Sequence, residues 1–404
     1  MSIERRIGPA VSKQPAGVPP AFCNGAGRRK ILILTVSHGA GHQRVAHALK
    51  NALIEIHPDL RVEVADGLGH VSHWFRSYYN SYEIPLKFWP GVWGWIEGIQ
   101  HRSDATAPSW LYRRGAQPLF RFIRDFNPDV VIATEVGMCE LAAMFKRESR
   151  ARFALVAAVG LDVDRAWAQS EVDLYISAPG EVATQLAAAG VPHAKILPCG
   201  LPIHPAFMSL PDRMTARCRH LLELNTPLLL ILFGGTGYGK PSRILPGIRA
   251  LTCPVQITCI TGMNHRLEEK LRRECDGDPR FRVLGWVNNI HEWMAAADLL
   301  LSKPGDVTVA EALAAGLPIL AFDPLPGGEV RICDMIERWK IGCWARRPEH
   351  LGPLVSRLLT NQTELQYLHA QACKLACPGA AHSAAEAILN LGRRKLENQT
   401  GSRS

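Results

Sequence analysis

The sequence predicts an α/β fold made of two halves, each built from parallel strands that alternate with helices. Two apolar runs, residues 30–37 (KILILTVS) and 227–233 (PLLLILF), are typical of strands buried on both faces of a parallel sheet. Each run ends in a glycine loop. The chain of 404 residues is also longer than a domain with a single hydrophobic core usually is. At about 150 residues per domain, we expect two or three domains.

The first half opens with a βαβ unit. After a glycine loop at residues 37–42, apolar residues recur at helical spacing from Val45 to Ile56. The half ends at a proline-containing linker, residues 204–213. The predicted strands of this half lie at residues 30–37, 61–65, 129–134, 153–159, 173–177 and 195–198.

The second half repeats the strand–helix alternation and is followed by a helix at residues 380–397. Its predicted strands lie at residues 227–233, 255–260, 281–284, 298–302 and 317–322. The chain therefore divides into a flexible basic arm (1–29), a first α/β domain (30–205), a second (206–378) and a C-terminal helix with a tail (379–404). Because ligands of such sheets bind at the carboxyl ends of the strands, we expect the site in the cleft between the domains.

Composition narrows the class of protein. Hydrophobic residues make up 47% of the chain and charged residues 21%, as in a globular protein. The net charge of +9 favours an anionic partner, such as a phosphorylated substrate, an anionic lipid or nucleic acid. None of the 11 cysteines forms a C-x-x-C pair, which is typical of reduced thiols in the cytoplasm and argues against a metal site. No run of about 18 apolar residues predicts a transmembrane helix, and no signal peptide is apparent.

The segment at residues 299–311 (LLLSKPGDVTVAE) combines a strand, a glycine turn and a helix start. Thr308 and Glu311 have the spacing of a capping box, which predicts a helix that begins at Thr308. Free amides at such a start bind anions, typically a phosphate. An ordinary capped turn explains the segment equally well. Glu311 can likewise either cap the helix or accept hydrogen bonds from ribose hydroxyls.

Four glycine loops follow predicted strands, and three of them lie in the second half. They are at residues 37–42, 234–237, 302–308 and 324–329. Glycine lets a backbone approach a ligand closely, and exposed amides bind phosphate oxygens, so this clustering favours a nucleotide site. Neither the GxGxxG nor the P-loop pattern occurs in the sequence.

Three titratable residues near the predicted loops are candidates for chemistry. His42 begins the first helix, where a neutral imidazole can take a proton from a hydroxyl; a surface or capping histidine is the alternative. Asp162 follows an apolar strand and is a candidate second acid, or else a solvated turn residue. Glu329 follows two glycines and could bind sugar hydroxyls, or else meet a helix dipole as a first-turn acid.

Residues 68–122 interleave aromatic and basic side chains. Trp and Tyr favour a lipid interface, and Lys and Arg favour anionic headgroups, so we interpret the segment as a membrane-facing surface. An aromatic core with a charged rim and stacking on nucleic acid are the alternatives. No nucleic-acid motif accompanies the segment, and we do not expect nucleic acid as a partner. The acceptor and membrane candidates are Gly41, Trp89, Trp93, Trp95, Arg113 and Arg114.

Together and in this order, the motifs resemble the monogalactosyldiacylglycerol synthase-like glycosyltransferases, relatives of the peptidoglycan GlcNAc transferase. The resemblance runs from about residue 30 to residue 376. It is carried by ILILTVSHGAGHQRVAHAL (31–49), GLPIHPAF (200–207), LFGGTGYG (232–239), TGMNHRL (261–267), SKPGDVTVAEALAAGLPIL (302–320) and DPLPGGE (323–329).

The resemblance implies a GT-B fold, in which two Rossmann-like domains face each other across a cleft. The second domain would bind a UDP-sugar, the first would bind the acceptor, and the C-terminal helix would return towards the first. The reaction would be inverting and would need no metal or cofactor besides the donor substrate. The family's roles fall on His42 as base, on Gly234, Gly235 and Thr308 towards the diphosphate, on Val287 towards the uracil, on Glu311 towards the ribose and on Glu329 towards the sugar. Thr236, Lys303 and Gly305 are further donor-binding candidates.

The sequence departs from the family at three places in the site, the last of which is Glu135 in place of the histidine of a Thr-His pair. Gly328 stands for a glutamine and Ile332 for an asparagine, so two expected sugar contacts are missing. The family stretch Thr-Asp-Leu-Asp-Val-His reads VGLDVD at residues 159–164, where Gly160 replaces an acid and Asp164 replaces a histidine. Because of the first departure, the resemblance does not identify the sugar that is transferred. Because of the second, it does not identify the acceptor.

The sequence therefore predicts a glycosyltransferase of glycolipid biosynthesis that moves a sugar from a UDP-sugar to a lipid hydroxyl, such as that of diacylglycerol. We expect it at the inner face of the membrane, with an anionic membrane surface as a further partner. Two alternatives remain at this point. One is a UDP-sugar epimerase or hydrolase on the same architecture, and the other is a non-catalytic descendant that binds nucleotide or membrane.

Overall fold

A computed structural model describes residues 29–37, 40–80, 109–235 and 240–400, with the backbone alone for residues 109 and 392–400. The predicted basic arm, apart from residue 29, lies outside the described residues. So do Trp89, Trp93 and Trp95 of the predicted membrane surface and Thr236 of the predicted donor site. Among the helices in the described ranges, none is long and apolar enough to cross a bilayer.

In the described part of the chain, the strands form two parallel sheets of six strands each. The first sheet contains β1 (Lys30–Thr35), β2 (Arg61–Asp66), β3 (Val130–Ala133), β4 (Ala154–Ala158), β5 (Leu174–Ile176) and β6 (Ile196–Leu197). The second contains β7 (Leu228–Leu232), β8 (Gln256–Ile260), β9 (Phe281–Leu284), β10 (Leu299–Ser302), β11 (Ile319–Phe322) and β12 (Gly342–Ala345). The predicted two-domain α/β fold is therefore confirmed.

Helices cover both faces of each sheet, as the continuous apolar strands require. The helices of the first domain are α1 (Ala40–Ile56), α2 (His73–Asn80), α3 (Ser109–Gly115), α4 (Gln117–Phe126), α5 (Val136–Ser149) and α6 (Glu181–Ala188). Those that follow are α7 (Arg213–Arg219), α8 (Pro241–Arg249), α9 (His265–Glu274), α10 (Ile290–Ala296), α11 (Asp306–Ala314), α12 (Gly328–Arg338), α13 (Leu351–Thr360), α14 (Gln362–Leu375) and α15 (Ala380–Thr400).

Strand order places one crevice in each sheet. The orders are β2-β1-β3-β4-β5-β6 and β12-β11-β10-β7-β8-β9, so the direction of chain progression reverses between β1 and β3 and again between β7 and β10. Such a reversal opens a crevice at the carboxyl ends of the strands, where α/β proteins bind ligands. The loop after β1 leads into α1, and the loop after β10 leads into α11, so both helices start at these crevices.

Contacts between the domains hold the two crevices face to face. Arg338 of α12 donates to Glu181 of α6 with Nη2 2.6 Å from Oε1, and the Trp339 indole donates to the other oxygen of that carboxylate at 3.0 Å. The final helix, α15, packs on α1 of the first domain, where His382 Nε2 lies 3.1 Å from Glu55 Oε2. The last helix therefore returns to the first domain after the second is complete.

The start of α11 differs from the capping-box prediction, which was wrong. The helix begins at Asp306, and Gly305 is its N-cap residue, with no side-chain cap. Thr308 is therefore inside the first turn. Glu311 cannot cap this start, because its side chain is buried and bonds to Arg44. A glycine N-cap leaves the first amides of α11 without an intrahelical or side-chain partner.

A buried ion pair fixes the two central strands of the second sheet. Asp298, which precedes β10, accepts hydrogen bonds from Arg217 Nη2 at 2.5 Å and from the Leu228 amide at 2.6 Å. Arg217 is 1% exposed. The pair therefore ties β10 to β7, and these are the strands that carry the loops of the second crevice.

We expect Asp298→Ala to lower the free energy of unfolding of the second domain by about 3–5 kcal/mol, because it leaves the buried Arg217 guanidinium with backbone carbonyl partners but without its counter-ion. Urea unfolding followed by circular dichroism measures this loss. Glu274→Ala, which breaks a surface pair with Lys270, is the matched control and should cost less than about 1 kcal/mol. Equal losses for the two variants would contradict the role of the buried pair.

Candidate active site

The starts of α1 and α11 meet in the cleft between the domains. A Cβ on Gly41 would lie 3.8 Å from Cγ2 of Val307, so the first turns of the two helices are in contact. The loop after β7 approaches the same place, since a Cβ on Gly235 would lie 2.5 Å from Cβ of Ala40. Two helix N-termini and a glycine loop thus converge, and their amides and dipoles favour an anion there.

His42 lies in the first turn of α1, at the crevice of the first sheet. Its Nδ1 is 2.8 Å from the carbonyl oxygen of Thr134, the residue that follows β3. Because a carbonyl only accepts, Nδ1 carries the hydrogen and Nε2 keeps its lone pair. The backbone therefore sets the tautomer that a general base needs.

A cavity of about 500 Å³ lies between α1 and the loops of the second domain. One face of α1, with Gln43, Arg44 and His47, forms one wall. The opposite wall contains four of the predicted donor-binding residues: Gly234, Gly235, Val287 and Thr308. The two domains therefore share the cavity.

Glu311, one turn after Thr308, is buried at 1% exposure and forms an ion pair with Arg44 across the cleft. Its Oε2 has no hydrogen-bond partner among the described residues. Burial raises the pKa of Glu311, and the Arg44 guanidinium acts against that rise. The buried carboxylate thus depends on a cation of the other domain and keeps one oxygen without a hydrogen-bond partner among the described residues.

Lys303 and Glu329 form a second charged pair beside α11. Glu329 bonds to Lys303 with Oε1 and accepts the Leu325 amide at 2.7 Å with Oε2. Burial raises the pKa of Glu329, and Lys303 counters this rise. Gly305, the N-cap of α11, lies in the sequence between Lys303 of this pair and Thr308 of the cavity wall. Both the pair and the cavity wall therefore include residues next to the start of α11.

Asp162 does not stand free as a second acid. Its two carboxylate oxygens accept hydrogen bonds from Nε and Nη2 of Arg331 in α12, both at 2.6 Å, which is a bidentate pair between the domains. A Cβ on Gly328 would lie 3.0 Å from Asp162 Oδ2. The glycine that replaces the family's glutamine therefore makes room for this pair.

Comparisons with known proteins identify the family. Residues 42–203 match the family model for monogalactosyldiacylglycerol (MGDG) synthase, and residues 243–361 match that for glycosyl transferases group 1. A processive diacylglycerol beta-glucosyltransferase of Bacillus subtilis is 24% identical over 83% of this chain and 88% of that protein. Monogalactosyldiacylglycerol synthase 3 of Arabidopsis thaliana is 25% identical over 92% and 83% of the two chains.

The chain carries a monogalactosyldiacylglycerol synthase domain and is a glycosyltransferase.

The solved structure of MurG from Acinetobacter baumannii agrees with this family's GT-B fold. It covers 90% of this chain and 100% of its own, with a TM-score of 0.61 and 15% identity. The predictions of the GT-B fold, of the family and of glycosyltransferase activity are confirmed, whereas the roles of single residues stay predictions.

Several residues of this glycosyltransferase site escaped sequence reasoning. Arg44, His47, His204 and His291 all line the cavity. Ala40, Gln43, Arg44 and His47 have the spacing of residues on one side of a helix. The sequence alone could therefore have predicted that Arg44 and His47 lie on the same side of α1 as Ala40. His204 and His291 approach each other with ring centroids 6.4 Å apart, and burial lowers the pKa of both. The part that these two histidines have in the cavity becomes visible only when the two domains are placed together.

Of the acceptor and membrane candidates that the structure describes, Gly41 lies beside this cavity, whereas Arg113 and Arg114 lie on α3 and do not line it. Arg113 of α3 pairs with Glu148 of α5 at 2.6 Å, which neutralises part of the predicted basic surface. Arg114 is exposed. Three large aromatic side chains of α2 and α3 are also exposed: Trp74, Tyr78 and Trp110. Sequence reasoning placed them in the aromatic segment without separating the exposed from the buried.

The Arg44–Glu311 pair generates a pH-dependent prediction. Arg44→Met leaves Glu311 buried without its cation, so the folded state holds a proton that the unfolded state has released. The free energy of unfolding should therefore fall as pH rises above the ordinary range of a glutamate, with a loss of about 3 kcal/mol at pH 8 and less at pH 5.

Urea unfolding at both pH values tests this expectation. Arg44→Met combined with Glu311→Gln is the control, since it removes the buried charge and should lose most of the pH dependence. A single variant that is equally destabilised at both pH values would contradict the assignment.

Proposed function

We propose that this glycosyltransferase moves a sugar from a UDP-sugar to a hydroxyl of a diacylglycerol-type lipid, with inversion at the anomeric carbon and without a metal ion. One observation carries the proposal: the first turn of α1, which contains His42, is in contact with the uncapped start of α11 across the cleft. Displacement at a sugar phosphate needs a base on one side and charge stabilisation on the other.

The cavity supports a nucleotide donor. Its volume of about 500 Å³ is ordinary for a small-molecule site. The amides of Gly234, Gly235 and the α11 start would receive the diphosphate, and the loop at Val287 would receive the uracil. The unpartnered Oε2 of Glu311 would accept a hydrogen bond from a ribose hydroxyl.

The proposed reaction is a single displacement. Nε2 of His42 takes the proton of the acceptor hydroxyl as its oxygen forms a bond to the anomeric carbon. The bond between that carbon and the phosphate oxygen breaks, and its electron pair leaves with UDP. The positive ends of α1 and α11 stabilise the leaving diphosphate, which is a role that a metal ion fills in other enzymes.

The acceptor and the membrane are inferred from two further observations. Diacylglycerol stands in the names of both relatives described above, which supports a diacylglycerol-type acceptor. Trp74 and Tyr78 of α2 and Trp110 of α3 are exposed, the two helices pack on each other, and Arg114, one turn after Trp110, is exposed as well. Amphipathic aromatic rings with a basic residue favour the surface of an anionic membrane, which would bring the site to its lipid acceptor at the inner face.

Incubation with a panel of UDP-sugars and vesicles that contain diacylglycerol tests the activity, with mass spectrometry of the lipids as readout. A new glycolipid is expected. Free sugar or an epimer without any lipid product would favour a hydrolase or an epimerase, and UDP binding without turnover would favour a non-catalytic protein.

His42→Ala tests the base in the same assay. Loss of a general base should lower kcat by about 10²–10⁴-fold, while UDP affinity, measured by calorimetry, changes little. His350→Ala, at an exposed histidine before α13, is the matched control and should keep wild-type turnover. Full turnover of His42→Ala would remove His42 from the mechanism.

Trp110→Ala tests the membrane surface by vesicle co-sedimentation. Wild-type binding should strengthen with anionic lipid and weaken with salt, and the variant should bind several-fold less. Tyr367→Ala replaces an exposed aromatic residue of α14 in the second domain and should bind as the wild type does. Binding that ignores both lipid charge and Trp110 would contradict the assigned surface.

A further inference from the structure

Basic side chains line the cavity between the domains. They are Arg44 and His47 of α1, His204 and His291, and in the described part of the chain no aspartate or glutamate lines the same cavity. Burial lowers the pKa of His204, and the charges of His291 and Arg44 act in the same direction. A guanidinium stays protonated in proteins, so Arg44 gives this wall a permanent positive charge. Such a cavity favours an anionic ligand.

Arg44 is linked to both elements whose amides we assign to the diphosphate. It lies one helical turn after Ala40, whose Cβ is 2.5 Å from the place of a Cβ on Gly235. Its guanidinium reaches the second domain and pairs with Glu311, one turn after Thr308. Gly235 and Thr308 line the same cavity as Arg44. The guanidinium therefore belongs to the part of the cavity where the diphosphate would bind.

The pair with Glu311 uses only part of the Arg44 guanidinium. It joins Nη2 to Oε1 of Glu311, and within the described residues the Arg44 side chain makes no other hydrogen bond. The side chain of Arg44 is 33% exposed, whereas that of Glu311 is 1% exposed. Because a guanidinium carries five N–H donors in a planar fork, donors remain for the oxygen atoms of a ligand in the cavity.

Two further contacts between the domains hold α11 beside α1. Asp306, the first residue of α11, accepts the amide of Leu161 from the first domain at 2.7 Å. Asp162, the next residue after Leu161, binds Arg331 of the second domain with both oxygens. Arg44 is thus held by Glu311 in an interface that is already formed, so little side-chain freedom remains to be lost when a ligand binds.

We propose that Arg44 is a donor-binding residue supplied by the first domain, and that it donates its remaining N–H groups to the diphosphate of the UDP-sugar. This inference rests on the proposed function, because the diphosphate belongs to the donor of that reaction. Arginine matches phosphate oxygens with paired N–H donors, and its charge opposes the negative charge that develops on the diphosphate as the sugar leaves. The first domain therefore takes part in donor recognition.

Calorimetric titrations with UDP and with uridine test the proposal in a Glu311→Gln background. This background is needed because Arg44→Met alone leaves an unpaired buried charge. Adding Arg44→Met to it should raise the Kd of UDP about 10–100-fold, which is the usual effect of losing a hydrogen bond to a charged group. The Kd of uridine, which has no phosphate, should change by less than about threefold.

Arg273→Met in the same Glu311→Gln background is the matched control. It makes the same chemical change at an exposed arginine of α9, outside the cavity lining. Both ligands should bind this variant as they bind the Glu311→Gln reference. Thermal unfolding of each variant shows that the proteins compared are folded at the temperature of the titrations.

The outcomes separate this inference from the proposed function. A wild-type protein that does not bind UDP and forms no glycolipid overturns the proposed function itself. If the wild type binds UDP and the addition of Arg44→Met leaves the Kd of UDP at the reference value, Arg44 only balances Glu311, and the inference is overturned while the function stands. Equal losses for UDP and uridine show that Arg44 does not act on the phosphates, which also overturns the inference.

Discussion

The contact between the first turns of α1 and α11 is the constraint on which the site depends. Each helix starts at the crevice of its own sheet, and Gly41 of α1 lies against Val307 of α11 across the cleft. This contact brings a histidine of one domain to the anion-binding amides of the other. It also makes one face of α1 a wall of the cavity in which we propose that the nucleotide binds, so the two domains share the proposed site.

The contact between the domains also determines how the carboxyl groups in the cleft ionise. Burial raises the pKa of Glu311, Glu329 and Asp306, and a cation or an amide opposes the rise in each case. For Glu311 and Asp306 the opposing group belongs to the other domain. A carboxylate that is desolvated by one domain and compensated by the other is most stable when the domains are together. Separation of the domains would therefore remove the groups that stabilise the charged forms of Glu311 and Asp306.

Much of this architecture was predictable from the sequence, for physical reasons. Strands buried on both faces read as continuous apolar runs, and the glycine loops after them mark where a backbone must approach a ligand. The start of α11 was missed because Gly305 caps it without a side chain, so the Thr308–Glu311 spacing gave a false signal. Arg44 and Asp306 were missed because their partners, Glu311 and Leu161, lie more than a hundred residues away in the other domain.

The anomeric configuration of the product tests the central claim most directly. In the proposed mechanism a single base, His42, and the amides that would hold the diphosphate permit one displacement at the anomeric carbon. Proton NMR of the glycolipid formed from an α-linked UDP-sugar should therefore show a β-glycosidic bond. An α-linked product would contradict the account, because retention requires a second displacement or a different placement of the attacking hydroxyl.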